Sequence, residues 1–290
     1  MRKNLLVTSI ITTLAVMVIL LSFSMISVVG APTTVNFTVN LTLSGNANPS
    51  IQWVQSGVSA NPTESTTTTV WIAFNASDAN GYGDIDYSTA QIILTLAGEA
   101  QRTSSTCNNY NNDSLIMQFN CSINMQYYDL NGAWTINASV DDLSASKATD
   151  TSTTMSYGSL QAVRGNLAGI TFGNVTLSQN TGASNDPLIL NNTGNQNFTQ
   201  INLTAYDLVG TTTPSQYIPA SNLYVNASLD NFGDQLSNNT MVALTNGTLA
   251  RDFGGSEVNR NLYFWVNVPG SGLSNQDYVA STDWQIEVFP

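Results

Sequence analysis

Apolar and polar residues alternate along this chain in short runs, and no stretch after residue 31 sustains a 3.6-residue period. That pattern confines the chain to an all-β fold, because a period of two places alternate side chains on opposite faces of a strand. The runs recur roughly every 10 to 18 residues between clusters of Gly, Pro, Asn, Asp and Ser. The first half predicts strands near 50–56, 66–77, 90–97, 100–106, 114–125, 133–141 and 149–157. Residues 158–168, "GSLQAVRGNLA", read as a linker. The second half predicts strands near 169–178, 187–192, 200–207, 217–229, 241–250, 260–268 and 278–289. The 290 residues leave room for two domains of about 100 to 150 residues each, here 31–157 and 169–290. Seven strands per half match a β-sandwich of immunoglobulin size, so the expected fold is two tandem immunoglobulin-like β-sandwich domains after an N-terminal hydrophobic helix.

That helix is read from residues 1–30, where Arg2 and Lys3 precede an apolar run from about Leu5 to Val29, with small residues before Ala31. The pattern is that of a signal peptide. At about 1.5 Å per residue the run is also long enough to cross about 30 Å of hydrocarbon as an uncleaved membrane anchor. Either way the basic start keeps the N-terminus inside, so the rest is expected outside the cell, secreted or anchored at the outer face of the cytoplasmic membrane.

Charged residues make up only 9% of the chain, and the formal net charge is −12. Five scattered basic residues beyond the leader cannot form a phosphate-binding patch, which argues against nucleic acid as a partner. Membrane contact is expected only through residues 5–29, if that segment is uncleaved. Cys107 and Cys121 bracket the Asn-rich "NNYNND", read as a turn, and suit a disulfide clamping a hairpin; free thiols are the alternative. Asn36, Asn40, Asn75, Asn112, Asn120, Asn137, Asn174, Asn191, Asn197, Asn202, Asn226, Asn238 and Asn246 each head an N-x-S/T triplet and are glycosylation candidates. Roughly eight such triplets would arise by chance in a chain this rich in Asn, Ser and Thr.

The chain has no histidine, which removes Ser-His-Asp and Cys-His catalysis and most zinc chemistry. Carboxylate pairs such as Asp84 with Asp86 and Asp141 with Asp142 could in principle cleave a glycosidic bond, but acids this common read as solvated loops, and no enzyme activity is expected. In "DANGYGDID", Asp78, Asn80, Asp84 and Asp86 put oxygen ligands on a Gly-rich turn resembling half an EF-hand loop, with Tyr82 and Thr89 at two positions where that loop needs ligands. A calcium site is one reading; an Asx-held turn between two strands is the other.

"FNASDANGYGDIDYSTAQIIL" and "MQYYDLNGAWTINASVDD" resemble Ig-like modules of secreted archaeal and bacterial surface proteins. "ITFGNVTL", "LILNNTGNQNFTQINLTAYDL" and "LYFWVNVP" are similar to a second prokaryotic surface β-sandwich type that includes the camelysin/TasA-like fibre proteins. The resemblance implies a buried side chain at Trp134 and a structural or adhesive surface protein, whose partners are other surface proteins, glycans or copies of itself. Trp53, Trp71, Trp134, Trp265 and Trp284 all lie in alternating runs and are expected in cores, with a carbohydrate-binding module as an alternative. Another alternative comes from "TTVNFTVNLTLSG", which predicts an extra strand over 34–44 with Val35, Phe37, Val39, Leu41 and Leu43 on one face. Such a strand pairs at the edge of its own first domain, pairs at the edge of the second domain, or is donated to a neighbouring molecule, making the chain a filament subunit.

Overall fold

The computed structural model describes residues 38–40, 45–229, 232–254 and 258–290. Two compact units divide the chain, Met1–Gly45 and Asn46–Pro290. In the first unit, residues 38–40 belong to no strand and Val39 is 76% exposed. At those three positions the strand expected over 34–44 is absent, since alternation becomes a strand only where a ladder takes up its backbone groups. The rest of that strand, and the leader at 1–30, lie outside the described residues. Among the described residues no helix is long and apolar enough to cross a membrane.

Among its described residues the unit Asn46–Pro290 is all β, apart from two short 3-10 turns, and carries two separate hydrophobic cores. Nine strands surround the first: β1 (Ser50–Val54), β2 (Val58–Ala60), β3 (Thr67–Ser77), β4 (Ile85–Thr95), β5 (Arg102–Ser104), β6 (Cys107–Asp113), β7 (Ile116–Gln126), β8 (Gly132–Asp142) and β9 (Lys147–Tyr157). They form a four-stranded sheet in the order β1-β3-β7-β6 and a five-stranded sheet in the order β2-β9-β8-β4-β5, with β2 parallel to β9. Alternation sets which side of each sheet is buried. Val70, Ile72, Phe74 and Ala76 of β3 all point inward, and Phe74 stacks on its cross-strand partner Phe119 with ring centroids 4.7 Å apart. From the other sheet Trp134, Ile136 and Met155 complete the core, and each large apolar side chain buried there contributes roughly 1.5–3 kcal/mol. The indole nitrogen of Trp134 donates to the carbonyl of Leu130 at 2.9 Å, so its one polar atom is satisfied.

Around the second core run β10 (Val163–Gly165), β11 (Asn180–Gly182), β12 (Leu188–Asn192), β13 (Gln200–Ala205), β14 (Leu208–Gly210), β15 (Tyr217–Ile218), β16 (Leu223–Asn226), β17 (Asp234–Gln235), β18 (Thr240–Ala243), β19 (Asn259–Asn267), β20 (Tyr278–Ala280) and β21 (Gln285–Phe289). β19, "NRNLYFWVN", is the hub, pairing with β11, β12 and β16. A three-stranded sheet β18-β13-β21 and a smaller one, β15-β14-β20, complete this half.

Three expectations need correction. The "NNYNND" segment lies within strand β6, so the hairpin turns at Ser114 and Leu115. The strand expected near 169–178 does not form: Gly173 has φ of 68° and Ser178 of 61°, which break an extended path, although Ile170, Phe172 and Val175 still pack on the second core. The expected linker 158–168 is partly structured, with β10 pairing to β12 and Leu160 donating its N–H to Asn195 Oδ1 at 2.7 Å.

Candidate functional site

Strand β3 ends where the chain turns through Asp78, Asn80 and Gly81, whose φ of 109° suits glycine, and crosses to the five-stranded sheet, which it enters at Ile85. The 78–84 loop is closed by backbone hydrogen bonds from Gly81 to the Asp78 carbonyl at 3.1 Å and from Asp84 to the Gly81 carbonyl at 3.0 Å. Strand β8 ends beside it. Ile85 pairs with Asp142 across the ladder, and the N–H of Leu143 donates to the Asp84 carbonyl at 2.8 Å. One carboxylate oxygen from each of Asp78, Asp84 and Asp142 therefore lies within 4.8 Å of the others.

Two of these three carboxylates are buried, Asp78 and Asp142 each being 2% exposed. Asp142 Oδ1 accepts from the N–H groups of Ser144 and Ser146, each at 2.8 Å, and Oδ2 accepts from Asn46 Nδ2 at 2.8 Å. The Asn46 side chain and the Ser146 N–H lead in holding the Asp142 carboxyl below its ordinary value. Asp84 is pushed the other way, by desolvation first and then by the charges of Asp78 and Asp142. Asp78 Oδ1 accepts from Asn80 N at 2.7 Å, while its Oδ2 is buried without a hydrogen-bond partner.

Of the four candidate ligands read from the sequence, the structure brings Asp78 and Asp84 together and leaves Asn80 and Asp86 outside the carboxylate cluster. Asp86 faces elsewhere and accepts from the N–H and hydroxyl of Ser88, at 3.0 and 2.6 Å. Asn80 Oδ1 accepts from the N–H of Ala47 at 2.6 Å. Asp142, read as solvated, is buried; its signal was the following "LSAS", whose serine N–H groups fold back on the carboxylate.

A second polar cluster lies between the two cores and was not anticipated. "NNTGN" reads as a turn, yet Asn192, Thr193 and Asn195 are buried. Asn195 Nδ2 donates to the carbonyls of Asp129 and Gly158, both at 2.9 Å, and Thr193 Oγ1 donates to Glu64 Oε1 at 2.6 Å. Arg251 pairs with Glu99 and donates to the Tyr128 carbonyl at 2.8 Å, while the Tyr127 hydroxyl donates to Asp252 at 3.1 Å. Apart from the bond to Gly158, which lies in the expected linker, each of these bonds joins a residue of the first half to one of the second. Gly194 permits the close approach, since a Cβ there would lie 2.2 Å from the Leu160 carbonyl oxygen.

Cys107 and Cys121 are directly opposed in β6 and β7 and form a disulfide. Of the tryptophans, only Trp134 is fully buried; Trp265 and Trp284 are half-buried, while Trp53 and Trp71 are 45% and 51% exposed. Trp53 pairs with Asn75, four residues along β3 from Trp71, so both indoles lie on the outer face of the same sheet. Among the sequon asparagines, Asn40, Asn112, Asn174, Asn197, Asn238 and Asn246 are exposed, Asn75, Asn120, Asn137, Asn191, Asn202 and Asn226 are half-buried, and Asn36 lies outside the described residues.

No protein-family model matches this chain, and no curated protein matches it.

Proposed function

We propose that this chain is a non-enzymatic extracellular protein of the cell surface, in which two tandem β-sandwiches, the first immunoglobulin-like, form a rigid structural or adhesive element. The observation that carries the structural role is the buried polar latch between the two cores. It commits Arg251, Glu99 and Asn195 to holding the two halves together, in a chain with few charges to spare. The strand orders β1-β3-β7-β6 and β9-β8-β4 support the immunoglobulin-like reading, since they follow the A-B-E-D and G-F-C sheets of that sandwich. The disulfide between Cys107 and Cys121 supports the location, because such bonds persist in oxidising compartments. Treatment of intact host cells with a membrane-impermeant protease, followed by immunoblotting, should remove the full-length chain. A chain degraded only after lysis would overturn the reading.

A specific observation favours a second reading, glycan binding. Trp53 and Trp71 present exposed indoles on one sheet face, and Asn75, the ladder partner of Trp53, lies four residues along β3 from Trp71, about 13 Å at a strand rise of about 3.3 Å per residue. Flat aromatic surfaces of this kind stack on sugar rings. Binding on a glycan array that falls at least tenfold in Trp71→Ala would support it, and an array without signal would sink it.

A further inference from the structure

Among the described residues, the carboxylates at the junction of the β3–β4 turn and the end of β8 have no basic partner. Lys147, the basic residue nearest in the ladder, pairs with Asp141 at 3.5 Å. Asp142 is satisfied by three donors, but Asp78 Oδ2 is buried, has no hydrogen-bond partner, and belongs to a side chain whose neighbours in the cluster carry the same charge. A buried, unpaired carboxylate oxygen is costly unless a cation meets it. We propose that Asp78, Asp84 and Asp142 bind a calcium ion, tying the β3–β4 turn to the end of β8. The donors are all carboxylate oxygens, and both cysteines of the chain are consumed in the disulfide, which excludes a thiolate site. The oxygens come from two separate segments at unequal depths. Calcium tolerates such irregular coordination, whereas magnesium demands a near-ideal octahedron.

The test uses the purified full-length chain, stripped with chelator and titrated with calcium chloride while its melting temperature is followed. Calorimetric titration of the same samples reads the stoichiometry. At a calcium concentration about 100 times the dissociation constant, the midpoint should rise by about 5–10 °C, with one ion bound per chain. Asp84→Asn, which keeps the side-chain shape on the less buried member of the cluster, should abolish both signals. Asp86→Asn should retain them, because that side chain caps Ser88 outside the cluster. Absence of calcium binding by the wild-type chain would overturn the proposal, and so would binding that survives Asp84→Asn. An equal midpoint rise with magnesium chloride would overturn the assignment of the ion. None of these outcomes depends on where the protein resides, so they stand apart from the protease test of location.

Discussion

Arg251 is 3% exposed in its side chain and Glu99, its partner, 7%. Substituting Arg251 with alanine strands the Glu99 carboxylate in a buried site, which typically costs about 3–5 kcal/mol. Urea titration should show that loss, and the double variant Arg251→Met with Glu99→Leu should recover most of it. Tyr157 gives a pH signature at the same scale. Its hydroxyl donates to the Gln126 carbonyl at 3.0 Å, and burial pushes its pKa up to about 12 from the ordinary 10. Below pH 10 the phenol is protonated in both folded and unfolded chains and contributes no pH dependence. Between pH 10 and about 12 the unfolded chain ionises first, so stability falls as pH rises through that window and levels off above it. Tyr157→Phe should flatten this step in denaturation midpoints measured from pH 9 to 12. Among the site residues, Asp78 and Asp84 were legible because Gly and Asx residues mark a turn that can gather oxygens. Asp142 was not, because its place beside them is set by the β4–β8 ladder, across about 60 residues of chain.

The β6–β7 hairpin shows how a strand can form against its local composition. "CNNYNND" is mostly Asn and Asp, residues depleted in strands, yet it pairs along β7 with Cys107 opposite Cys121. On the chain-entropy model, closing a loop of about 15 residues stabilises the fold by about 3 kcal/mol. Replacing both cysteines with alanine should lower stability by about that amount. Hydrogen exchange should then quicken in β6 before it quickens in the β3–β7 ladder, whose pairing does not depend on the disulfide. The long strands β3, β7 and β8 were readable because alternation sustained over most of 11 residues has little competing explanation. Short strands such as β2, β14 and β17 carry too few residues for a period to register, and the 169–178 run alternates but turns at Gly173.

At the scale of the whole molecule, the latch between the cores decides whether the two β halves unfold as one body. Asn195 alone satisfies the carbonyls of Asp129 and Gly158 and the N–H of Leu160. Differential scanning calorimetry should show one cooperative transition for the wild-type chain and two for Asn195→Ala, as coupling between halves is lost. A single unshifted transition in that variant would mean the cores are held together by something else. The sequence by itself determined the all-β class, the long strands, the disulfide pair and the acidic turn after β3, because alternation, cysteine count and turn chemistry are local properties. Only the tertiary structure decided that "NNTGN" is a buried joint and not a surface turn, that Trp53 and Trp71 face outward while Trp134 is enclosed, and that Asp142 in place of Asp86 completes the carboxylate cluster. Each of those outcomes depends on which distant segment is packed against the residue, and a one-dimensional pattern carries the face a side chain points to but not what meets it there.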